Sequence, residues 1–245
     1  MYVLVDYDNL LAADKARPLR DLSQRLADAV CAAAPELPDV LDIRFYGGWY
    51  ALDAEADTHD PTPRAQELMA ALTAPGDFPF VYRYVLPDQP TAYVRVRASL
   101  ARSLLVDPAR DLVRTLRPKA LSQLLRPRSV RERCEHADTG QCCLRGLPGL
   151  VRHRACPDCS VPSADLVRQG EEQKLVDTMI AVDLVYAAAS PGGAALVSSD
   201  DDFVPPIWQS VATGGTVYHV HTRPDRVLRP HYLPAAGLDY HSLAL

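Results

Sequence analysis

Lysine is almost missing from this chain of 245 residues: there are three, so arginine carries nearly all of its positive charge. No stretch approaches the roughly 18 to 20 uninterrupted apolar residues of a membrane span, and the opening MYVLVDYDNLL sets no basic segment ahead of its apolar run. The expectation is a soluble, untargeted, cytoplasmic protein without membrane contact. Of six cysteines only Cys31 lies outside residues 134–159. That excludes a disulfide framework spread along the chain, and clustered thiols in a chain without a leader read as metal ligands. Internal repeats and low-complexity tracts are also missing, which excludes a solenoid.

What is present suffices for a core: 48% of the residues are hydrophobic and 23% charged, enough for one large domain or one domain with an insertion. The net charge of −5 conceals a split. Residues 91–155 hold 14 Lys and Arg against 5 Asp and Glu, which leaves 12 basic and 26 acidic residues elsewhere. A basic segment is set into an acidic body.

Residues 1–6 (MYVLVD) form a short apolar run that ends abruptly in polar residues, as a buried parallel strand does at its carboxyl end. Helical spacing follows over 18–34, a second strand over 40–46 closed by Gly47-Gly48, a helix over 62–72 with Pro63 at its start, and a third strand over 80–86. This alternation predicts an α/β fold: a mostly parallel sheet with helices on both faces. The rhythm then breaks. Residues 91–100 (TAYVRVRASL) alternate like an edge strand, and 108–125 read as helical with a break at Pro118. A helix over 171–189 with acidic residues in its first turn, a strand over 194–198, a helix over 202–213 and a strand over 216–220 restore the pattern. The tail from His221 is expected to wrap the surface. The division expected is a core of 1–89 and 166–245 with an inserted subdomain at 90–165.

Three segments carry carboxylates where such a fold gathers them: Asp6-Tyr7-Asp8-Asn9 after strand one, Lys174 and Asp177 on one face of a helix start, and Ser198-Ser199-Asp200-Asp201-Asp202 after a later strand. In an open α/β sheet the ligand crevice lies outside the carboxyl ends of the strands, where the strand order reverses. If strand one neighbours the strand over 194–198, both acidic clusters line it. Clustered carboxylates raise one another's pKa, and divalent cations relieve the conflict. Hard oxygen donors without His or Cys favour Mg²⁺ or Mn²⁺, the ions of phosphoryl chemistry. Taken singly, Asp8, Asn9 and Asp200 to Asp202 also suit helix N-caps.

The runs VLVDYDN, KLVDTMIAVDL and LVSSDDDFVPPI followed by GGTVY resemble the NYN branch of the PIN-like nucleases, over roughly residues 1–86 and 170–221. The most specific element is Ser198, Asp200, Asp202, Phe203 and Pro205. The resemblance implies a PIN-like, Rossmannoid core that cuts RNA with Mg²⁺ or Mn²⁺, an endoribonuclease leaving a 5′-phosphate and a 3′-hydroxyl. By position, Asp6, Asp177 and Asp200 would be core metal ligands and Asn9 and Asp202 supporting ones, with Asp8, Lys174, Asp183 and Ser198 as further support. Asp183 lies about 240° round the helix from Asp177, so the two cannot face one site equally. Asp201 stands where the family has a small or polar residue.

Two alternatives compete. The order Asp6-x-Asp8, Lys174, Asp200-Asp201 also suits a haloacid-dehalogenase-like phosphatase, whose first Asp is a nucleophile and second a general acid. Leu10 stands where that family favours Thr or Val, and Asn9, Asp177 and Phe203-Val204-Pro205 find no place in it. The other alternative is a non-catalytic module that recruits RNA or protein.

In the insertion, Cys156-Pro157-Asp158-Cys159 is a C-x₂-C knuckle. Cys134 and Cys143 complete a tetrahedral Zn²⁺ set, with Cys142 or His136 as substitutes. Around it lie Arg126, Arg128, Arg131, Arg133, Arg152 and Arg154, whose guanidinium forks suit the phosphates of RNA. Compositional bias accounts for arginine over lysine, but not for the concentration of basic residues in one quarter of the chain. His219 and His221 alternate on a strand and read as structural, and Trp49 and Tyr50 as packing.

Overall fold

The computed structural model describes residues 1–53, 58–85, 91–112, 117–118, 126–127, 167–168, 171–172, 174–223 and 238–245. The chain divides into two compact units, Met1–Thr115 with Gln173–Leu245, and Leu116–Glu172.

The larger unit is an α/β structure. Its strands are β1 (Tyr2–Asp6), β2 (Val40–Tyr46), a small hairpin of β3 (Tyr50–Asp53) and β4 (Thr58–Pro61), then β5 (Phe80–Tyr84) and β6 (Ala92–Leu100). The helices between them are α1 (Ala12–Lys15), α2 (Leu19–Ala33) and α3 (Pro63–Thr73). Four two-residue strands lie in the second unit: β7 (Arg117–Pro118), β8 (Arg126–Pro127), β9 (Val167–Arg168) and β10 (Glu171–Glu172). The chain returns through α4 (Lys174–Ala188), β11 (Ala194–Val197), a 3₁₀ turn at Asp201–Phe203, α5 (Val204–Ala212), β12 (Val217–His221) and β13 (Tyr240–Ala244).

Seven strands form one sheet in the order β13-β12-β11-β1-β2-β6-β5, parallel throughout except for the β5–β6 pair. The order reverses between β1 and β11, because the chain steps outward from β1 to β2 on one side, with β6 and β5 beyond, and from β11 to β12 and β13 on the other. The apolar run Val3-Leu4-Val5 is fully buried because both faces of β1 are covered. Val3 and Val5 pack with Leu22, Leu26 and Val30, the inward stripe of α2. Leu4 and Leu196 pack on the opposite face against Met179, Ile180 and Leu184 of α4 and Ile207 of α5. Pro63 starts α3 as expected, with the Thr62 hydroxyl accepting from the Ala65 N–H at 3.2 Å. Between α4 and β11 the chain turns on Gly193, with φ of +72°, where an added Cβ would stand 2.5 Å from the Thr216 carbonyl oxygen.

The expected β1–β11 neighbourhood is present. Other expectations need correcting. The segment 91–100 is no edge strand: β6 lies inside the sheet between β2 and β5, and the second unit begins only at Leu116. Its alternation reflects one packed face, Val94 and Val96, and one bare face, Tyr93, Arg95 and Arg97. The true edge there is β5, antiparallel. Residues 108–112 form turns and bends rather than a helix, and Arg117–Pro118 is a strand. Glu171 and Glu172 pair with β7 ahead of α4, leaving Asp177 as the acid of its first turn. The tail ends in β13, which extends the sheet parallel to β12. Among the described residues no helix is long and apolar enough to cross a membrane.

Candidate functional site

Asp6 ends β1 at the point where the strand order reverses, and it is only 5% exposed. Each carboxylate oxygen is held. Oδ2 accepts from the Ser198 hydroxyl at 2.9 Å and Oδ1 from the Asn9 N–H at 3.3 Å. Ser198 Oγ in turn accepts the Asp200 N–H at 3.1 Å, so its single proton is left for Asp6. Burial pushes the Asp6 carboxyl up to about 6; the charges of Asp177 and Asp8 push the same way, against the hydrogen bonds from Ser198 and Asn9.

Asn9 is a brace. Its side-chain oxygen accepts from the Ser199 N–H at 3.3 Å and lies 3.2 Å from the Thr222 hydroxyl, tying the loop after β1 to those after β11 and β12. The Ser199 hydroxyl accepts from the Arg223 N–H at 3.0 Å. Asp8 is exposed, and its Oδ2 takes the Gly48 N–H at 3.4 Å. A Cβ at Gly47 would stand 2.8 Å from the Trp49 ring and 3.0 Å from Asp8 Oδ2, so glycine gives both side chains their places. Asp200 caps the 3₁₀ turn, its Oδ1 accepting from the Asp202 N–H at 3.0 Å, and Asp202 is exposed.

Asp183 belongs to a different place. It is fully buried, with Oδ2 accepting from the Tyr46 hydroxyl at 2.6 Å, Oδ1 from the Leu105 N–H at 2.7 Å, and an Arg44 nitrogen 3.9 Å away. Burial raises its pKa, and these three partners pull it down. It fastens the segment after β6 to the sheet.

The structure thus brings Asp6, Asn9, Ser198 and Asp200 into one bonded set, with Asp177 and Asp8 in electrostatic reach of Asp6. Asp183 is held elsewhere, and Asp202 joins the set through its backbone N–H to Asp200. Lys174 opens α4, but its side chain lies outside the described residues, as does that of Arg126 in β8. Arg128, Arg131, Arg133, Arg152, Arg154, Cys134, His136, Cys142, Cys143, Cys156 and Cys159 also lie outside them.

Among the described residues no group of three or more His, Cys, Asp or Glu side chains is arranged to hold a metal ion. Mg²⁺ keeps several waters and takes only one or two carboxylates. Asp6, whose charged form the buried crevice and two neighbouring carboxylates disfavour, offers the right donor chemistry.

Sequence reading missed Ser199 and Thr222, and it treated the two histidines alike. His219 is satisfied: Nε2 donates to the Ser198 carbonyl and Nδ1 takes the Tyr240 hydroxyl, each at 3.0 Å. Burial, with His221 alongside, drives His219 down to about 3, so it stays neutral. His221 is also buried, its ring 3.9 Å from that of His219, yet neither of its nitrogens has a hydrogen-bond partner among the described residues. The sequence signal is the polar HVHT at the carboxyl end of β12. On the α2 side of the sheet a cavity of about 410 Å³ is lined by Tyr7, Lys15, Arg17, Leu22, Arg64 and Leu68. It is separate from the Asp6 crevice, and its cations are engaged: Arg64 by Tyr7 and Glu67, Arg17 by Asp14, Lys15 by the Asp8 carbonyl.

No protein-family model matches the chain, and no match is found among curated proteins or solved structures.

Proposed function

We propose that the protein is a Mg²⁺- or Mn²⁺-dependent endoribonuclease of the NYN, PIN-like type. The supporting observation is Asp6: a carboxylate fixed at both oxygens, buried at the strand-order reversal, and charged against Asp177 and Asp8. Asp6 and Asp177 would hold the cation, with Asp8 beside them. Bound there, the ion supplies charge neutralisation for a phosphodiester and a water of lowered pKa.

The chain's own groups do the positioning. Ser198 and Asn9 fix the Asp6 oxygens, so that carboxylate needs no reorganisation when substrate arrives. Asn9 and Thr222 lock the three strand-end loops together, holding the Asp200 turn beside Asp6. Asp200 caps the turn through Oδ1 while its backbone N–H orients Ser198, and its carboxylate would be the third ligand beside Asp6 and Asp177. The same reading gives RNA docking to Arg126, Arg128, Arg131, Arg133, Arg152 and Arg154, and a structural Zn²⁺ to Cys134, Cys143, Cys156 and Cys159. Zinc at one equivalent, lost in a Cys156→Ser/Cys159→Ser protein, tests the latter part.

The deciding experiment incubates purified protein with total RNA and Mn²⁺ or Mg²⁺, then maps the cut ends. The expected result is 5′-phosphate and 3′-hydroxyl ends, no cutting with chelator, and a loss of about a thousandfold or more in Asp6→Asn and in Asp177→Asn. Full activity in both folded variants overturns the proposal.

A further inference from the structure

Helices α4 and α5 cover β1, β11 and β12 on the Asp6 side of the sheet, but β5 and β6 lie beyond them on that side. The residues these two strands turn outward are Val81 and Arg83 of β5, followed by Val85, and Tyr93, Arg95 and Arg97 of β6, all exposed. Register makes them one surface. Arg83 is directly opposite Tyr93, and Val81 directly opposite Arg95. Tyr93 is 66% exposed, a large aromatic ring on an open sheet face. Arg97 is held by Asp42 on β2 through two hydrogen bonds. Arg83 and Arg95 have no carboxylate partner among the described residues.

From this we infer that the exposed face of β5 and β6 is a platform for single-stranded RNA, with Tyr93 stacking on a base and Arg83 and Arg95 holding phosphates on either side of it. Charge complementarity selects this occupant: three arginines against one aspartate form a positive face on a protein whose net charge is −5. Single strands suit an aromatic plate between cations, because every base offers a face for stacking. The register also gives the distance. Arg97 is level with Asp42, and Asp42 with Tyr2. Asp6 therefore lies roughly 13 Å beyond Arg97 and roughly 26 Å beyond Tyr93 along the strands, and about 10 Å to the side, a span of several nucleotides.

The inference rests on the reading that the substrate is RNA, and its test is read without cleavage. Fluorescence anisotropy of a labelled oligouridylate is followed with the full chain in chelator, across a salt series. Tyr93→Thr, which keeps a strand-forming residue, is expected to weaken binding about tenfold. Arg83→Gln/Arg95→Gln is expected to flatten the plot of log affinity against log salt by about 1.4. Affinity and slope unchanged in both variants overturn the platform, as does a wild-type dimer that Tyr93→Thr dissociates, which would make the face a contact between copies. If wild-type protein binds oligouridylate in this way but cuts no RNA with any divalent ion, the nuclease reading fails and the platform stands.

Discussion

Two aspartates on the same side of the sheet, both buried and both raised in pKa by burial, have opposite relations to their surroundings. Asp183 is met by a hydroxyl, a backbone N–H and a nearby guanidinium, so its charge has been compensated from within the fold. Asp6 is met by one hydroxyl and one backbone N–H, and its nearest charges are other carboxylates. A structural carboxylate is surrounded by what it needs. A binding carboxylate is left short of it, and the shortfall measures what a cation would supply.

The contrast can be broken at either end. Replacing Asp183 by Ala strands the Tyr46 hydroxyl, the Leu105 N–H and Arg44, and is expected to cost about 3–5 kcal/mol in a urea unfolding series. A loss under 1 kcal/mol would remove Asp183 from its structural role. Replacing Asp6 by Asn is expected to do the reverse. At pH 8 without metal the wild-type carboxylate is ionised against its surroundings, so the variant should be more stable by about 2–3 kcal/mol while losing metal-dependent cleavage. Added Mg²⁺ should raise the melting temperature of the wild type and leave the variant unmoved; equal responses would deny Asp6 its cation.

A smaller effect sharpens the comparison through pH. Between pH 3.8 and about 6, native Asp6 holds a proton that the unfolded chain has released, so its contribution falls as pH rises. Between about 3 and 6.5 the unfolded chain protonates His219 and the native one does not, so stability falls as pH drops. Where the windows overlap the two slopes oppose each other, each about 1.4 kcal/mol per pH unit. Metal-free Asp6→Asn should therefore show a stability-against-pH slope steeper than wild type by about that amount between pH 4 and 6. Parallel curves would mean that Asp6 titrates as an ordinary surface acid.

The sheet was legible where burial is two-sided. VLV in β1, AALV in β11 and the apolar positions of α2 declare their surroundings because each admits one type of residue. Edge and centre were not legible at β6, because alternation reports which faces are packed and is silent on how many strands lie alongside. The strand β13 (YHSLA) was missed because its residues are only half-buried and carry little apolar signal. In the site, Asp6, Asn9 and Ser198 could be named from their place after strands. Helix spacing separates Asp183 from Asp177, but one of the groups that hold Asp183 is the Leu105 backbone N–H, which no side-chain pattern announces. Likewise His219 and His221 are one dipeptide step apart and chemically equal until Ser198 and Tyr240 pair one of them.

The antiparallel pairing of Arg117 with Glu172 and of Pro118 with Glu171 brings together the two ends of the long stretch between them, a doorway for the chain. Its two ends are pinned about one strand spacing apart, roughly 5 Å. Closing a loop grows costlier by only about 0.6 kcal/mol for each doubling of its length. The content of that stretch is thus nearly a free variable for the sheet. Sequence between these two ends can therefore be lengthened, shortened or exchanged at little cost to the sheet that carries the carboxylates.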